Sequence, residues 1–250
     1  MPLRHVLMLA ALLASHATAT LAQTVTVAFG ESLEPYAIPA SGSGIEVEII
    51  REALQYSKLG LKPVFLAQKR IPFALGNRQI DAVATMLPDF GVKGAYSEPY
   101  ITYQDKAITL AARNLVLDNI ADLGRYRVVG FPLASQYLGA SFHQLTAQHP
   151  EYTETGNQLD QNRLLYRGSI DVVVADVRIF NYMNQRMQSE FGEPVRAVRY
   201  HSLFPSLQYQ VLFRSASLRD SFNAGLRQLQ RSGRYRQIID KYDAQFASEP

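Results

Sequence analysis

The feature that most constrains the fold of this chain is a strand–helix–strand order that occurs twice. In its first occurrence, a β-rich strand pattern at residues 25–29 is followed by an amphipathic helical pattern over 44–60. Residues 63–66 begin a second strand, 71–76 favour a helix, and 81–86 are typical of a short buried strand. This βαβαβ order predicts a parallel sheet, because strands joined through helices run in the same direction.

The same order starts again in the second half of the chain. Residues 126–131 and 170–175 are predicted strands, and between them 135–149 and 161–166 are predicted helices. Right-handed crossovers bring the carboxyl ends of such strands to one edge of their sheet, where ligands bind. The sequence therefore predicts two α/β units of similar plan, each with a ligand-binding edge.

The C-terminal segment, residues 218–246, has apolar side chains at helical spacing, interrupted at Gly233. This pattern predicts two amphipathic helices. Its several arginines are interpreted as a solvated face of these helices.

The first 22 residues have the features of a secretory signal peptide. A basic start precedes an apolar run at 6–14 and a stretch of small residues ending in Ala22, so we expect the mature chain to begin at Gln23 in the periplasm. Cleavage after Ala19 is the alternative. A retained membrane anchor is disfavoured, because the run is shorter than the roughly 20 residues that a spanning helix needs.

Composition excludes several kinds of chemistry. The chain has 250 residues and no cysteine, which rules out disulfides, a thiol nucleophile and a lipid anchor on cysteine. Without Arg4 the mature chain has 24 basic and 22 acidic residues, so we expect no nucleic-acid partner. The spacing of His143, His149 and His201 does not suit a metal, and no GxSxG motif is present. We therefore expect no metal site, cofactor or catalytic triad.

Five segments, in this order and spacing, carry a family resemblance. They are GIEVEIIREAL (44–54), GNRQIDAVAT (76–85), YSEPY (96–100), YRGSIDVVVAD (166–176) and LRDSFNAGLRQLQRSGRYRQIIDKY (218–242). Together they resemble the family 3 extracellular solute-binding proteins, the periplasmic receptors of amino-acid-type ABC importers.

This resemblance implies a type II periplasmic-binding-protein fold, an α/β architecture of two lobes with parallel-type sheets joined by two hinge strands. Residues 23–112 and 207–250 would form lobe 1, and 113–206 would form lobe 2. The expected protein is a monomeric, non-enzymatic receptor. It closes on a small amine-bearing or zwitterionic solute and delivers it to an inner-membrane ABC permease.

The resemblance also indicates where this chain departs from amino-acid receptors. The family's carboxylate-binding arginine is expected six residues before Tyr96, where this chain has Phe90. Lys93 is a poorer substitute, because an ammonium group cannot make the planar two-point contact of a guanidinium. A standard α-amino acid is therefore a doubtful ligand.

Two residues of the second unit have a functional and a structural interpretation. Asp176 follows a buried strand and matches the family's ammonium-binding carboxylate, although an aspartate there can equally cap a helix. Ser135 matches a hydroxyl at a helix start that favours an anionic group, or is a plain capping serine.

Further ligand-binding candidates come from the first unit. Tyr36 is expected to place its ring over the ligand, or to pack in the core. Arg70 is a candidate contact for a ligand anion, or for the opposite lobe, and the backbone of Thr85, Met86 and Leu87 is expected to face the ligand. Gln68, where relatives often have an aromatic residue, predicts a more polar cleft.

Two alternative functions remain open at this point. The same fold serves in orphan or sensor-type ligand-binding modules, and in periplasmic dehydratases that place an acid in the cleft. Glu98 lies in a turn-like SEPY motif, and Glu46 and Glu48 lie on the first predicted helix, so none of them is a convincing catalytic acid.

Overall fold

A computed structural model describes residues 23–246 of the chain. The predicted signal peptide, residues 1–22, lies outside the described residues. Strand β1 begins at Thr24, next to the predicted start of the mature chain.

The first sheet contains six strands in the order β2-β1-β3-β11-β4, with β5 also pairing with β11. β1 runs parallel to β2 and β3, as the strand–helix–strand order predicts, and β11 is antiparallel to its neighbours. The strands are β1 (Thr24–Gly30), β2 (Gly60–Leu66), β3 (Ala82–Met86), β4 (Ala95–Tyr96), β5 (Ile101–Tyr103) and β11 (Leu207–Phe213).

Two α-helices pack on this sheet, α1 (Ile45–Tyr56) and α6 (Ala216–Arg231), and a third, α7 (Arg234–Gln245), packs against both of them. The predicted break between the last two helices is confirmed at Gly233, which has left-handed backbone geometry. The segment predicted as a helix at 71–76 is helical, but it is a 3₁₀ helix over Gln68–Gly76.

The second sheet contains five strands in the order β10-β6-β9-β7-β8. β7 is parallel to β8 and β9, whereas β6 is antiparallel to β9 and β10. The strands are β6 (Asp105–Leu110), β7 (Val128–Gly130), β8 (Tyr152–Glu154), β9 (Val172–Asp176) and β10 (Val198–His201).

Four helices accompany the second sheet: α2 (Ala134–Tyr137), α3 (Ala140–Ala147), α4 (Gln158–Tyr166) and α5 (Val177–Phe191). The prediction of one helix over 135–149 is wrong, because the chain forms two helices there. Gly139, with a φ of 92°, separates them. That conformation suits glycine and ends the helical hydrogen bonding.

Both sheets are buried on both faces. In β9, Val173 and Ala175 join the largest apolar cluster of the molecule, whereas Val172 and Val174 face a second cluster around Phe142. Burial on two faces explains why strands such as VVVA are continuous apolar runs rather than alternating ones. The predicted α/β architecture with two sheets is confirmed.

The chain passes between the sheets at two places. Tyr103 is the last residue of β5 in the first sheet, and Asp105 is the first residue of β6 in the second. The return passage connects β10 to β11. Strand β6 pairs within the second sheet, although the predicted boundary at 112/113 assigns its residues to lobe 1. The division into lobes stays a prediction. Within residues 23–246, no helix is long and apolar enough to cross a membrane.

Candidate ligand-binding site

A cavity of about 430 Å³ lies between the two sheets. The loops after β1 and β2 and the end of β3 line it from the first sheet. The α2 region, the start of α4 and the β9–α5 junction line it from the second. The carboxyl ends of parallel strands β1, β2, β3, β8 and β9 therefore meet here, as the crossover rule requires. Its volume is within the usual range for small-molecule sites.

The charged groups that line this cavity are mostly acidic. Of the residues that the structure describes, four carboxylates and one ammonium group contribute to the lining: Glu31, Asp105, Glu154, Asp176 and Lys69. Such a lining favours a cationic ligand over an anionic one.

Asp176 lies at the end of β9, and its buried carboxylate lines the cavity. Oδ1 accepts hydrogen bonds from the backbone N–H groups of Arg178 (2.9 Å) and Ile179 (3.2 Å), so Asp176 is also the N-cap of α5. Oδ2 accepts a 2.8 Å bond from the N–H of Gln104. Burial raises the pKa of Asp176, although these hydrogen bonds oppose the shift. The two interpretations of this residue, helix cap and cavity carboxylate, are thus compatible.

Asp105 pairs directly with Asp176 in the register of β6 and β9 and also lines the cavity. Only 2% of the residue is exposed, and its Oδ2 has no hydrogen-bond partner among the described residues. Burial and then the neighbouring charge of Asp176 raise the pKa of Asp105 well above its usual range. Two buried carboxyl groups that face one cavity repel each other when both are ionised, and a cation between them relieves this repulsion.

Two glutamines add further hydrogen-bond acceptors to the cavity wall. Within residues 23–246, the buried Oε1 atoms of Gln68 and Gln158 have no hydrogen-bond donor. The amide nitrogen of Gln158 donates a 2.9 Å bond to the carbonyl of Ser32, across the cleft. Gln68 Oε1 lies close to Gly30, where a Cβ would be only 2.2 Å from that oxygen. The polar cleft expected from Gln68 therefore depends on the glycine that follows Phe29.

Glu154, at the end of β8, is a cavity-lining carboxylate with several hydrogen-bond donors around it. It accepts bonds from the backbone N–H groups of Leu133 (2.7 Å) and Ser135 (2.9 Å) and from the Tyr152 hydroxyl (2.8 Å). Partial burial acts to raise the pKa of Glu154, but these hydrogen bonds outweigh it and hold the pKa below the ordinary value. The backbone N–H of Ser135, at the helix start that was expected to favour an anionic ligand group, is thus bonded to a carboxylate of the protein, and a ligand contact of Ser135 stays a prediction.

Tyr36 lies beneath the cavity rather than over it. Its side chain is fully buried, its ring stacks on Tyr103 with centroids 3.9 Å apart, and its hydroxyl donates to Asp176 Oδ1 at 3.0 Å. Tyr103, not Tyr36, presents an aromatic surface to the cavity in the described structure. Tyr36 thus supports two residues of the wall, and a direct contact of its ring with a ligand stays a prediction.

The Thr85 to Leu87 segment contributes through its first residue. Thr85 lines the cavity in a left-handed backbone conformation with a φ of 58°, which is uncommon for a β-branched residue and often accompanies functional sites. Its hydroxyl donates a 2.8 Å bond to the buried carboxylate of Glu46. Met86 is buried and Leu87 half-buried, and neither is part of the described cavity wall.

Neither Arg70, the candidate contact for a ligand anion, nor Phe90, which stands at the family's arginine position, lies in the described cavity wall. Arg70 is exposed on the 3₁₀ helix after β2 and outside the cavity lining. Phe90 stacks on Tyr137 with ring centroids 4.4 Å apart, so it joins the first sheet's side of the cleft to the second. Lys93 is exposed and outside the lining as well.

Sequence reasoning missed Asp105, Glu154 and Gln158. One signal was available for Asp105, since it is a single acidic residue between the strand patterns ITY and AITL. The sequence offered no comparable signal for Glu154, whose backbone partners lie at the start of α2, 19 and 21 residues earlier in the chain. Of the predicted residues, Thr85 and Asp176 line the cavity, and Ser135 lies behind Glu154.

Solved structures with the same fold include receptors and a sensor. A histidine kinase sensor domain similar to periplasmic binding proteins is 18% identical, with a TM-score of 0.70 over 88% of this chain and 96% of that chain. A mutant of ArgBP from T. maritima is 19% identical, with a TM-score of 0.67 and coverages of 88% and 95%. ArtJ, an arginine-, lysine-, histidine-binding protein of Geobacillus stearothermophilus, is 16% identical, with a TM-score of 0.69 and coverages of 91% and 97%. These likenesses establish the fold.

A comparison with curated proteins finds no significant match. The family profile described as bacterial extracellular solute-binding proteins, family 3, matches residues 25–245. This range contains both sheets and the whole wall of the cavity between them. The chain therefore belongs to the bacterial extracellular solute-binding proteins, family 3.

Proposed function

We propose that this protein is a periplasmic receptor that closes around a small amine-bearing solute and presents it to an ABC permease. The observation that carries the proposal is that three residues of the cavity wall each hold a buried acceptor for which the described residues supply no donor: Asp105 Oδ2, Gln68 Oε1 and Gln158 Oε1. A buried acceptor without a partner costs about 1–3 kcal/mol, and more when it is charged. A solute with several N–H groups recovers this cost at each acceptor it reaches.

Asp105 and Asp176 form the proposed ammonium-binding end of the cavity. They are register partners on adjacent strands, so their carboxyl groups are held by the backbone of a sheet rather than by a loop. The bonds that Asp176 accepts from Gln104 and Arg178 keep its carboxylate in place. An ammonium group bound here gains charge-assisted hydrogen bonds and separates the two negative charges.

Contacts across the cleft support a mechanism of lobe closure. Arg178 of α5 forms a bidentate ion pair with Asp243 of α7, at 2.6 and 2.9 Å. Gln158 and Ser32 form a hydrogen bond from one side to the other, at the rim of the cavity. A solute that touches both sides favours the closed arrangement in proportion to its differential contacts, and a permease can recognise that arrangement.

The family of the chain and the sequence of its N-terminus support the proposed location and partner of this receptor. Residues 1–22 direct secretion in this proposal, and the periplasmic protein begins at Gln23. Its lobes comprise 23–112 with 207–250, and 113–206, and it acts as a monomer without catalysis. N-terminal sequencing of the protein recovered from the periplasm tests the cleavage site, and a start at Thr20 would favour the alternative site after Ala19.

A sensor role is the second candidate, favoured by the likeness of the fold to a histidine kinase sensor domain. Uptake of the labelled solute by cells with and without the gene separates the two roles. Loss of uptake supports the transport receptor, whereas unchanged uptake together with an altered transcriptional response supports a sensor.

The binding experiment uses the protein secreted from the full gene. A thermal-shift screen against amines, amino acids, carboxylates and sugars, followed by calorimetry, exploits the stabilisation that any native-state ligand confers. We expect shifts with amines, and weaker binding in Asp176→Ala. The exposed residue Arg231 provides the control variant Arg231→Ala, which should bind normally. Equal losses in the two variants, or shifts with sugars or dicarboxylates only, would contradict the proposal.

A further inference from the structure

We infer that the cavity selects organic cations that have no carboxylate, such as a diamine or an alkylguanidine, and rejects the corresponding α-amino acids. This inference rests on the proposed function and names the ligand class of the same site. The selecting group is Glu154, which occupies with its own carboxylate the donors that a ligand carboxylate would need. Three observations carry the argument, and each concerns a different part of the cavity wall.

The first observation is the saturation of Glu154. The N–H groups of Leu133 and Ser135 and the hydroxyl of Tyr152 all donate to this one carboxylate, at 2.7, 2.9 and 2.8 Å. These donors stabilise its ionised form, so the wall carries a fixed negative charge there. A ligand carboxylate that approaches this side meets a like charge, and the backbone N–H groups behind that charge are already bonded.

The second observation is that the described wall holds four acidic residues and a single basic one. Lys69 is the only basic residue in the described lining, and it lies on the exposed side of the cavity. Phe90 is packed face to face against Tyr137, so the contact across the cleft at this point is aromatic and uncharged. A carboxylate enclosed beside these rings would lose its hydration without gaining a charged partner.

The third observation is the placement of the unpartnered acceptors on three separate elements. Asp105 starts a strand that enters the second sheet, Gln68 lies on the 3₁₀ helix after β2, and Gln158 starts α4. A single ammonium group donates at most three hydrogen bonds, whereas these acceptors belong to three elements that approach the cavity from both sheets. The wall therefore suits a molecule with N–H groups at two or more positions.

Aromatic residues complete the match to an extended cation. Tyr103, Tyr209 and Phe131 line the same cavity and offer apolar faces to methylene groups or a guanidinium plane. Acceptors on separate elements, together with aromatic surface in the same wall, suit a ligand that is polar at its ends and apolar in its middle.

Matched ligand pairs test the inference directly. Agmatine and arginine, cadaverine and lysine, and putrescine and ornithine each differ by one carboxylate. Calorimetry on the secreted protein should show that the decarboxylated member of a pair binds at least about 100-fold more tightly, the effect of burying a charge without a partner. Equal or tighter binding of the amino acids would overturn the inference while the receptor function stands. Silence with all six compounds would instead contradict the proposed function.

The role of Glu154 has its own test. Glu154→Gln removes the charge and keeps the shape, so the preference for the decarboxylated ligand should fall by about 10-fold, because the like-charge repulsion is gone. Glu151→Gln, an exposed neighbour just before β8, is the control and should keep the wild-type preference. Circular dichroism and thermal melts establish that both variants fold. An unchanged preference in a folded Glu154→Gln protein would overturn the assignment of selection to this residue.

Discussion

Two buried carboxyl groups near the cleft, Glu46 and Asp105, have opposite surroundings. Glu46 is fully buried on α1, and its oxygens accept hydrogen bonds from the hydroxyls of Thr85, Tyr100 and Tyr103, at 2.7 to 2.8 Å. Asp105 is almost equally buried and lines the cavity, yet one of its oxygens has no donor within the described residues. The first carboxylate is satisfied by the protein, and the second is not.

The difference separates a structural charge from one available for binding. Burial raises the pKa of both groups, but the three hydroxyls limit the shift for Glu46, whereas the neighbouring Asp176 increases it for Asp105. Glu46 ties α1 to the segments that carry Thr85 and Tyr103, which are themselves part of the cavity wall. We therefore expect Glu46 to determine stability and Asp105 to determine binding.

The largest effect is expected for Glu46→Ala. Three buried hydroxyls lose their acceptor, and since each unsatisfied group costs about 1–3 kcal/mol, the free energy of unfolding should fall by about 4 kcal/mol. Glu52, on the same helix, forms a partly exposed ion pair with Arg234, so Glu52→Ala should cost at most about 1 kcal/mol. Urea denaturation of both variants measures the contrast, and similar losses would contradict the structural role of Glu46.

Asp105→Asn should separate binding from stability. We expect agmatine or cadaverine, whichever binds the wild type, to bind this variant at least about 100-fold more weakly. The neutral amide of the asparagine side chain replaces a carboxylate, so the charge-assisted contact with the ligand is lost. The unliganded protein should become more stable by about 1 kcal/mol, because the new amide can donate a hydrogen bond to Asp176. Calorimetry and urea denaturation give the two values. A variant that is destabilised like Glu46→Ala would break the comparison.

A smaller effect is expected in the pH dependence of stability. Asp105 faces Asp176, Lys106 and Tyr209, and its pKa is raised in the folded protein. Its protonated form therefore contributes stability that is complete below pH of about 4, the value for an unfolded aspartate, and is lost as the pH rises through the folded pKa. The gain in stability of Asp105→Asn over the wild type should thus increase from pH 4 to pH 8. If the free energies of unfolding of the variant and the wild type change in parallel with pH, repulsion between Asp105 and Asp176 does not destabilise the folded protein.

The smallest effect on binding is expected for a change at Phe90, which contacts neither Glu46 nor Asp105 in the interactions described. Phe90→Leu removes a stacked aromatic pair worth about 0.5–1.5 kcal/mol, so affinities for all ligands should fall by about five-fold. The preference for the decarboxylated member of each ligand pair should not change, because leucine adds no charge. A changed preference would move part of the selectivity from Glu154 to this contact.

Most of the secondary structure was predictable from the sequence. The strands near residues 25, 82 and 172 and the two C-terminal helices have strong local periodicity, and the structure confirms them. Two errors in helix count remain. The break at Gly139 was missed because an isolated glycine in a helical pattern is compatible with either continuation or a break, and helix α5 (Val177–Phe191) was not predicted.

The site was only partly predictable. Asp176 and Thr85 were recognised because their positions in familiar segments point to a ligand edge, and both line the cavity. Arg70 and Met86 occupy similar segments but lie outside the described wall, because side-chain direction depends on the local twist and on neighbours from distant parts of the chain. Whether Arg70, Tyr36 or Leu87 contacts a ligand stays a prediction.

The sequence by itself determined the two α/β units and the family, because these depend on local hydrophobic periodicity and on the order and spacing of short segments. Only the tertiary structure decided which carboxylates are satisfied. Asp105 faces Asp176, and Glu154 meets Leu133 and Ser135, through contacts between residues that are far apart in the chain. Hydrogen-bond saturation is a property of three-dimensional neighbours, so the charge offered to a ligand follows from the fold and not from composition.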